Sequence, residues 1–98
     1  MYYIYRIEID KKIRYVGYTH DIESRKKQHN YLCFKKMKSK ILYNKIRRNY
    51  PNITELKLNI VKTFTTKVEA KRFECWLILN DHFGSKELWQ RVPRITDV

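Results

Sequence analysis

The chain is poor in the residues that loosen or interrupt secondary structure. Its 98 residues include only two glycines and two prolines, which argues against long flexible linkers and points to a compact, fully folded chain. Cysteine is equally sparse. Cys33 and Cys75 lie far apart and neither belongs to a Cys-x-x-Cys pair, so they read as reduced core thiols of an intracellular protein, and a zinc site with His29 or His82 would match no familiar ligand spacing. No apolar run is long enough for a signal core or a membrane span, so the expectation is a soluble, cytoplasmic or nuclear protein with no membrane partner. Acid is missing from one whole block: Arg25 to Arg48 carries ten Lys or Arg and no Asp or Glu.

What is present is positive charge on a chain of one-domain length. A net charge of +12 and a pI of about 9.9 select a polyanionic partner, with nucleic acid favoured over a membrane surface. Solubility is served by mixed signs, whereas a block of one sign more often marks a binding face. Lys26, Lys27, Lys35, Lys36, Lys38, Lys40, Lys45, Arg47 and Arg48 are therefore the candidate nucleic-acid-binding residues. At this length, residues 1–98 form a single domain with no room for a separate recognition module.

Residues Tyr2 to Ile9 alternate, with Tyr3, Tyr5, Ile7 and Ile9 on one face and Arg6 and Glu8 on the other, which predicts a strand. Asp10, Lys11 and Lys12 are read as a three-residue turn into a second strand, Ile13 to Tyr18. That register pairs Ile9 with Ile13, Ile7 with Tyr15 and Tyr5 with Gly17, and places all odd residues on one face. A two-residue loop would set Tyr5 and Tyr15 on opposite faces. Asp21 is the expected N-cap of a helix to about Phe34, and Ser39 to Asn49 forms a second helix striped by Leu42 and Ile46 and stopped by Pro51. Leu56 to Phe64 gives a third strand. Thr66-Lys67-Val68-Glu69 is a capping box opening a helix to about Asp81 that buries Ala70, Phe73, Trp76, Leu77 and Leu79, with Gly84 as its stop.

The chemistry centres on Tyr15 to His29. Arg25 and His29 are four residues apart and so share a helix face. A guanidinium just after a strand-to-helix turn can grip two phosphate oxygens, and a histidine one turn away can accept a proton near neutral pH. Four tyrosines, Tyr3, Tyr5, Tyr15 and Tyr18, keep hydroxyls that need partners. Gly17 opposite Tyr5 leaves space above the sheet. Glu74 stands among Ala70, Leu77 and Ile78, where a carboxylate needs compensation. Two compensations are open: a salt bridge to a nearby Lys or Arg, or a Mg²⁺ ion completed by phosphate and water.

Tyr3-Ile4-Tyr5, Tyr15-Val16-Gly17, Arg25, His29 and a helical Glu74, in that order and spacing, resemble the GIY-YIG endonuclease domain over essentially the whole chain. Tyr3 stands where the family name has its first glycine, and Val16 replaces Ile. The resemblance implies an α+β fold, with a central three-stranded antiparallel sheet flanked by helices. It also implies hydrolysis of DNA phosphodiesters with one divalent metal, Mg²⁺ or Mn²⁺. It makes Tyr5 and Tyr15 the site tyrosines, Arg25 the phosphate-binding arginine, His29 their companion and Glu74 the metal ligand. An asparagine follows the metal-binding helix in many members; here Gln90 is the nearest counterpart. The alternative is a catalytically silent basic module on the same fold. No appended reader is evident, so branched or otherwise structured DNA is as open as any sequence preference.

Overall fold

The computed structural model describes residues 1–83 and 87–90. Strands β1 (Tyr2–Ile9) and β2 (Lys12–Thr19) form a hairpin, helices α1 (Ile22–Asn30) and α2 (Ile41–Asn49) follow, and β3 (Asn59–Phe64) precedes α3 (Lys67–Phe83). All pairings are antiparallel and the order is β2-β1-β3, so β1 is central. This is the three-stranded α+β architecture expected from the pattern. Gly84 and the residues after Gln90 lie outside the described residues.

The hairpin differs from the expected one in an instructive way. Its loop is two residues, Asp10 and Lys11, both at positive φ of 54° and 65°, the backbone that a tight turn matching strand twist requires. Alone, that loop would separate the two tyrosines. A bulge restores their alignment: Ile9 pairs with Lys12 and Glu8 with Ile13, then the register shifts so that Ile7 meets Tyr15 and Tyr5 meets Gly17. Arg14 is the extra residue. Ile13 consequently turns to the other side of the sheet, against the expectation that all odd residues share a face.

Both faces of the sheet are covered. Tyr5, Ile7 and Ile9 pack with Cys33, Leu42, Tyr43, Ile46 and Leu56 under α1 and α2. Ile4, Ile13 and Val16 pack with Ala70, Leu77 and Ile78 of α3. A bidentate pair ties this second layer down, Arg6 on β1 donating at 2.9 and 2.8 Å to both oxygens of Asp81 on α3.

The helix ends follow their sequence signals. Asp21 caps α1, its carboxylate accepting from Ser24 N at 3.1 Å, and Thr66 and Glu69 close the capping box of α3. The first helix reaches its expected length only by changing geometry, since Tyr31–Lys35 is a π-helical turn rather than α. The third strand begins at Asn59, later than Leu56, which is buried in the preceding loop. Trp76 is 53% exposed, contrary to its expected burial, because the covered face of α3 runs through Ala70, Leu77 and Ile78. The segment 87–90 straps the open edge of β2: Trp89 N donates to Arg14 O at 2.7 Å, and the Arg14 guanidinium lies 4.4 Å over the Trp89 ring.

Candidate active site

The strands bring the tyrosines together first. Tyr5 and Tyr15 stack with ring centroids 6.2 Å apart, and the Tyr5 ring lies directly over Gly17. A Cβ added there would sit 2.5 Å from Tyr5 Oη and 2.6 Å from Cζ. Gly17 has no positive φ, so glycine is needed for space, not for backbone conformation.

Helix α1 then supplies Arg25 at the cavity wall and His29 one turn deeper. His29 is 3% exposed and is held between two phenols, Nε2 at 2.8 Å from Tyr5 Oη and Nδ1 at 2.7 Å from Tyr43 Oη. Burial, reinforced by the charges of Arg25 and Lys40, pushes its pKa down to about 4. The ring is therefore neutral and, before substrate binds, a weaker base than an ordinary histidine. Burial raises Tyr5 strongly, and the Tyr15 phenol adds to this while Arg25 opposes it. Tyr15 is raised by burial and by Glu74. Tyr43 is pushed up to about 12, chiefly by burial. All three are neutral phenols at pH 7.

Glu74 arrives from the other layer. Burial raises its pKa to about 7, against the lowering effects of Lys71, the Tyr18 backbone N–H and Arg25. The two ion pairs among the described residues, Arg6–Asp81 and Lys26–Glu55, leave it out, so the salt-bridge compensation is not found there. Tyr5, Tyr15, Gly17, Arg25 and Glu74 line one polar cavity of about 370 Å³ at the sheet edge, with Tyr2, Tyr18, Thr19, His20 and Lys67 completing its wall.

A model of the GIY-YIG catalytic domain matches residues 1–87. The chain belongs to the GIY-YIG family. No match was found among curated proteins or solved structures. Membership gives this GIY-YIG domain a nuclease fold, in a family whose nucleases act on DNA. No described helix is long and apolar enough to cross a membrane.

The remaining candidates divide. Tyr3 sits on β1 between Thr19 and Thr63 and is not among the cavity-lining residues. Gln90 spends its amide on the β2 backbone, accepting from Val16 N at 2.6 Å and donating to Val16 O at 2.9 Å. It thus fixes the strand between Tyr15 and Gly17. Arg47 donates to Cys33 O, Lys38 O and Asn44 Oδ1, which buttresses the α1 to α2 connection. Lys26 pairs with Glu55 at 3.0 Å, and with Lys27 and Lys35 it lines a separate cleft beside α1. Lys36, Lys38 and Arg48 are exposed, and Lys45 lies over Trp89. Cys33 and Cys75 are not joined in a disulfide. Sequence reasoning passed over Tyr43, whose signal was a tyrosine beside Leu42 on the buried stripe of α2, where its hydroxyl must find a partner.

Among the described residues no group of three or more His, Cys, Asp or Glu could hold a metal. The donor set is a single half-buried carboxylate. That suits a hard ion such as Mg²⁺, which keeps water and phosphate in most of its shell, and does not suit an all-protein cage. A cation there would offset the desolvation that raises Glu74.

Proposed function

We propose that the protein is a metal-dependent endonuclease that hydrolyses DNA phosphodiesters in the cavity between β1, β2, α1 and α3. The observation that carries this reading is the convergence on one polar pocket of two phenols, a guanidinium and a carboxylate that has no ion-pair partner among the described residues. Arg25 binds the scissile phosphate and neutralises charge growing on its oxygens. Glu74 would hold the divalent ion, Mg²⁺ or Mn²⁺, which when bound supplies charge stabilisation at the phosphoryl group and the leaving 3′ oxygen.

Proton transfer falls to Tyr5 and His29. With its own proton on Nδ1 and given to Tyr43, His29 presents a bare Nε2 to the Tyr5 hydroxyl 2.8 Å away. Tyr5 can then take a proton from the attacking water while passing its own to His29, so no buried phenolate forms. Burial is the main cause of the weak basicity of His29 and persists when substrate binds. A phosphate on Arg25 would cancel one of the two charges that depress the imidazole further, so binding shifts the acceptor in the favourable direction. Tyr15, stacked on Tyr5, orients the hydroxyl pair.

The test is incubation of the pure protein with linear, branched and flapped DNA and Mg²⁺ or Mn²⁺. Nicking should require metal, and Glu74→Ala and Arg25→Ala should abolish it while folding and DNA binding persist. Salt-sensitive binding with no cleavage of any DNA would instead leave a silent binding module.

A further inference from the structure

Beyond the catalytic cavity, and sharing the Tyr15 ring with it, lies a second cavity of about 440 Å³ lined by Tyr15, Lys40, Ile41, Leu42, Trp89 and Gln90. We infer that this cavity receives one unstacked nucleotide of the DNA strand being cut, adjacent to the scissile phosphate. The inference rests on the nuclease reading for its position in the substrate and deepens it by naming the substrate class: DNA with an unpaired nucleotide at the cleavage point.

Three observations lead there. The cavity falls in the roughly 300–1,000 Å³ range of small-molecule sites, which are mostly apolar with a few polar groups that fix orientation. Its walls have that character, aromatic and aliphatic from Tyr15, Leu42 and Trp89, with Ile41 at the mouth and 54% exposed. Lys40 lies in the same wall and Lys45 stands 5.6 Å from the centre of the Trp89 ring. An apolar slot with ammonium groups beside it matches a nucleotide, a flat base with an anionic phosphate attached. Tyr15 lines both this slot and the cavity that Arg25 and Glu74 line, so the two adjoin, and a strand with its phosphate at Arg25 has the slot as its neighbouring cavity. A paired base offers only its groove edge and cannot enter a walled slot. A base must leave the stack, and that costs least where it is already unpaired.

The experiment separates this from the nuclease reading by measuring binding in EDTA. Duplexes carry 2-aminopurine, either paired or as a single unpaired nucleotide, at each position flanking the preferred nick; if wild type nicks nothing, a panel with the unpaired nucleotide at one central position is used. Wild type should bind the unpaired form at least about tenfold more tightly than the matched duplex, as ~1.4 kcal/mol of avoided unstacking implies, and should change the analogue's fluorescence. Ile41→Glu should remove that preference. Ile60→Glu, an equally exposed isoleucine on β3 (51%), makes the same charge change elsewhere and should keep it. Equal affinity for both duplexes, an unresponsive analogue, or identical behaviour of the two variants would overturn the proposal. Selective binding without metal-dependent nicking would sink the nuclease reading and sustain the slot; nicking without selectivity would do the reverse.

Discussion

Replacing Gly17 by alanine tests the geometry of the catalytic pocket with one methyl group. The new Cβ would stand 2.6 Å from Tyr5 Cζ, whereas carbon atoms rest about 3.5–4.0 Å apart, so the ring must retreat by roughly 1 Å. It has little room, since Tyr5 is 1% exposed and belongs to the central core. Overpacking of this kind costs about 1–3 kcal/mol, and loosening the Tyr5–His29 hydrogen bond adds ~1 kcal/mol. A loss of about 2–4 kcal/mol lowers Tm by roughly 10–30 °C in a domain of this size. A displacement of that order should also slow nicking by about 100-fold. Thermal melts and initial nicking rates read both effects. In a Tyr5→Phe background the nearest atom is gone and the hydrogen bond already lost, so the glycine change should cost less there. The reasoning fails if Gly17→Ala melts and cuts like wild type, or if its cost is unchanged by Tyr5→Phe.

Two groups give opposed pH signatures. The folded pKa of His29 is about 4 against an ordinary 6.5, so across that window the unfolded chain binds the extra proton and stability falls as pH drops. The folded pKa of Glu74 is about 7 against 4.5, so across its window the folded chain holds the extra proton and stability falls as pH rises. The slopes oppose each other between 4.5 and 6.5. Unfolding free energies of His29→Gln from denaturant titrations should therefore decline from pH 4.5 to 7, and those of Glu74→Gln should climb from pH 4 to 6.5, each by up to roughly 3 kcal/mol. Mg²⁺ should raise the wild-type Tm more at pH 8 than at pH 5.5 and leave Glu74→Gln unmoved, which differential scanning fluorimetry can check. Asp81→Ala strands the part-buried Arg6 guanidinium and should cost about 1–3 kcal/mol in urea unfolding, discounted for the exposure of Arg6. Gln90→Ala removes both bonds to Val16 and should cost about 1–2 kcal/mol, with accelerated amide exchange at Val16 as its local mark.

How much of this was legible in the sequence depended on whether the signal was local. Alternation exposed the hairpin, and a glycine across from Tyr5 announced the close approach, because both follow from pairing. The bulge stayed hidden because two one-residue departures, a shorter loop and an extra Arg14, compensate before Tyr15 is reached. Ile4 and Val16 were not read as a second core layer because Arg6 and Glu8 of β1 share their face of the sheet. Arg6 belongs there through Asp81, 75 residues away. Trp76 was misplaced because α3 is apolar around most of its circumference, and apolarity without a clear stripe does not say which side is covered. Arg47 counted as a binding charge, yet three carbonyl acceptors make it a strut, and no charge count distinguishes the two. For the site, residue order was visible. The depth of His29, and hence its low pKa, was not, since burial belongs to the assembled fold.

The extra residue in β2 also constrains how such a hairpin can change in length. Side chains along a strand obey an even–odd parity, and Arg14 is the one residue by which β2 exceeds a regular ladder with β1 between Ile13 and Tyr15. Deleting it would leave a regular two-residue hairpin with Tyr15 still opposite Ile7. Keeping Arg14 and the two-residue loop but straightening the bulge would instead pair Ile7 with Arg14, and turn Tyr15 toward α3 and Val16 toward α1. Loop length and bulge are therefore one unit: the bulge can be lost only if Arg14 leaves the strand or the loop takes up one strand residue more.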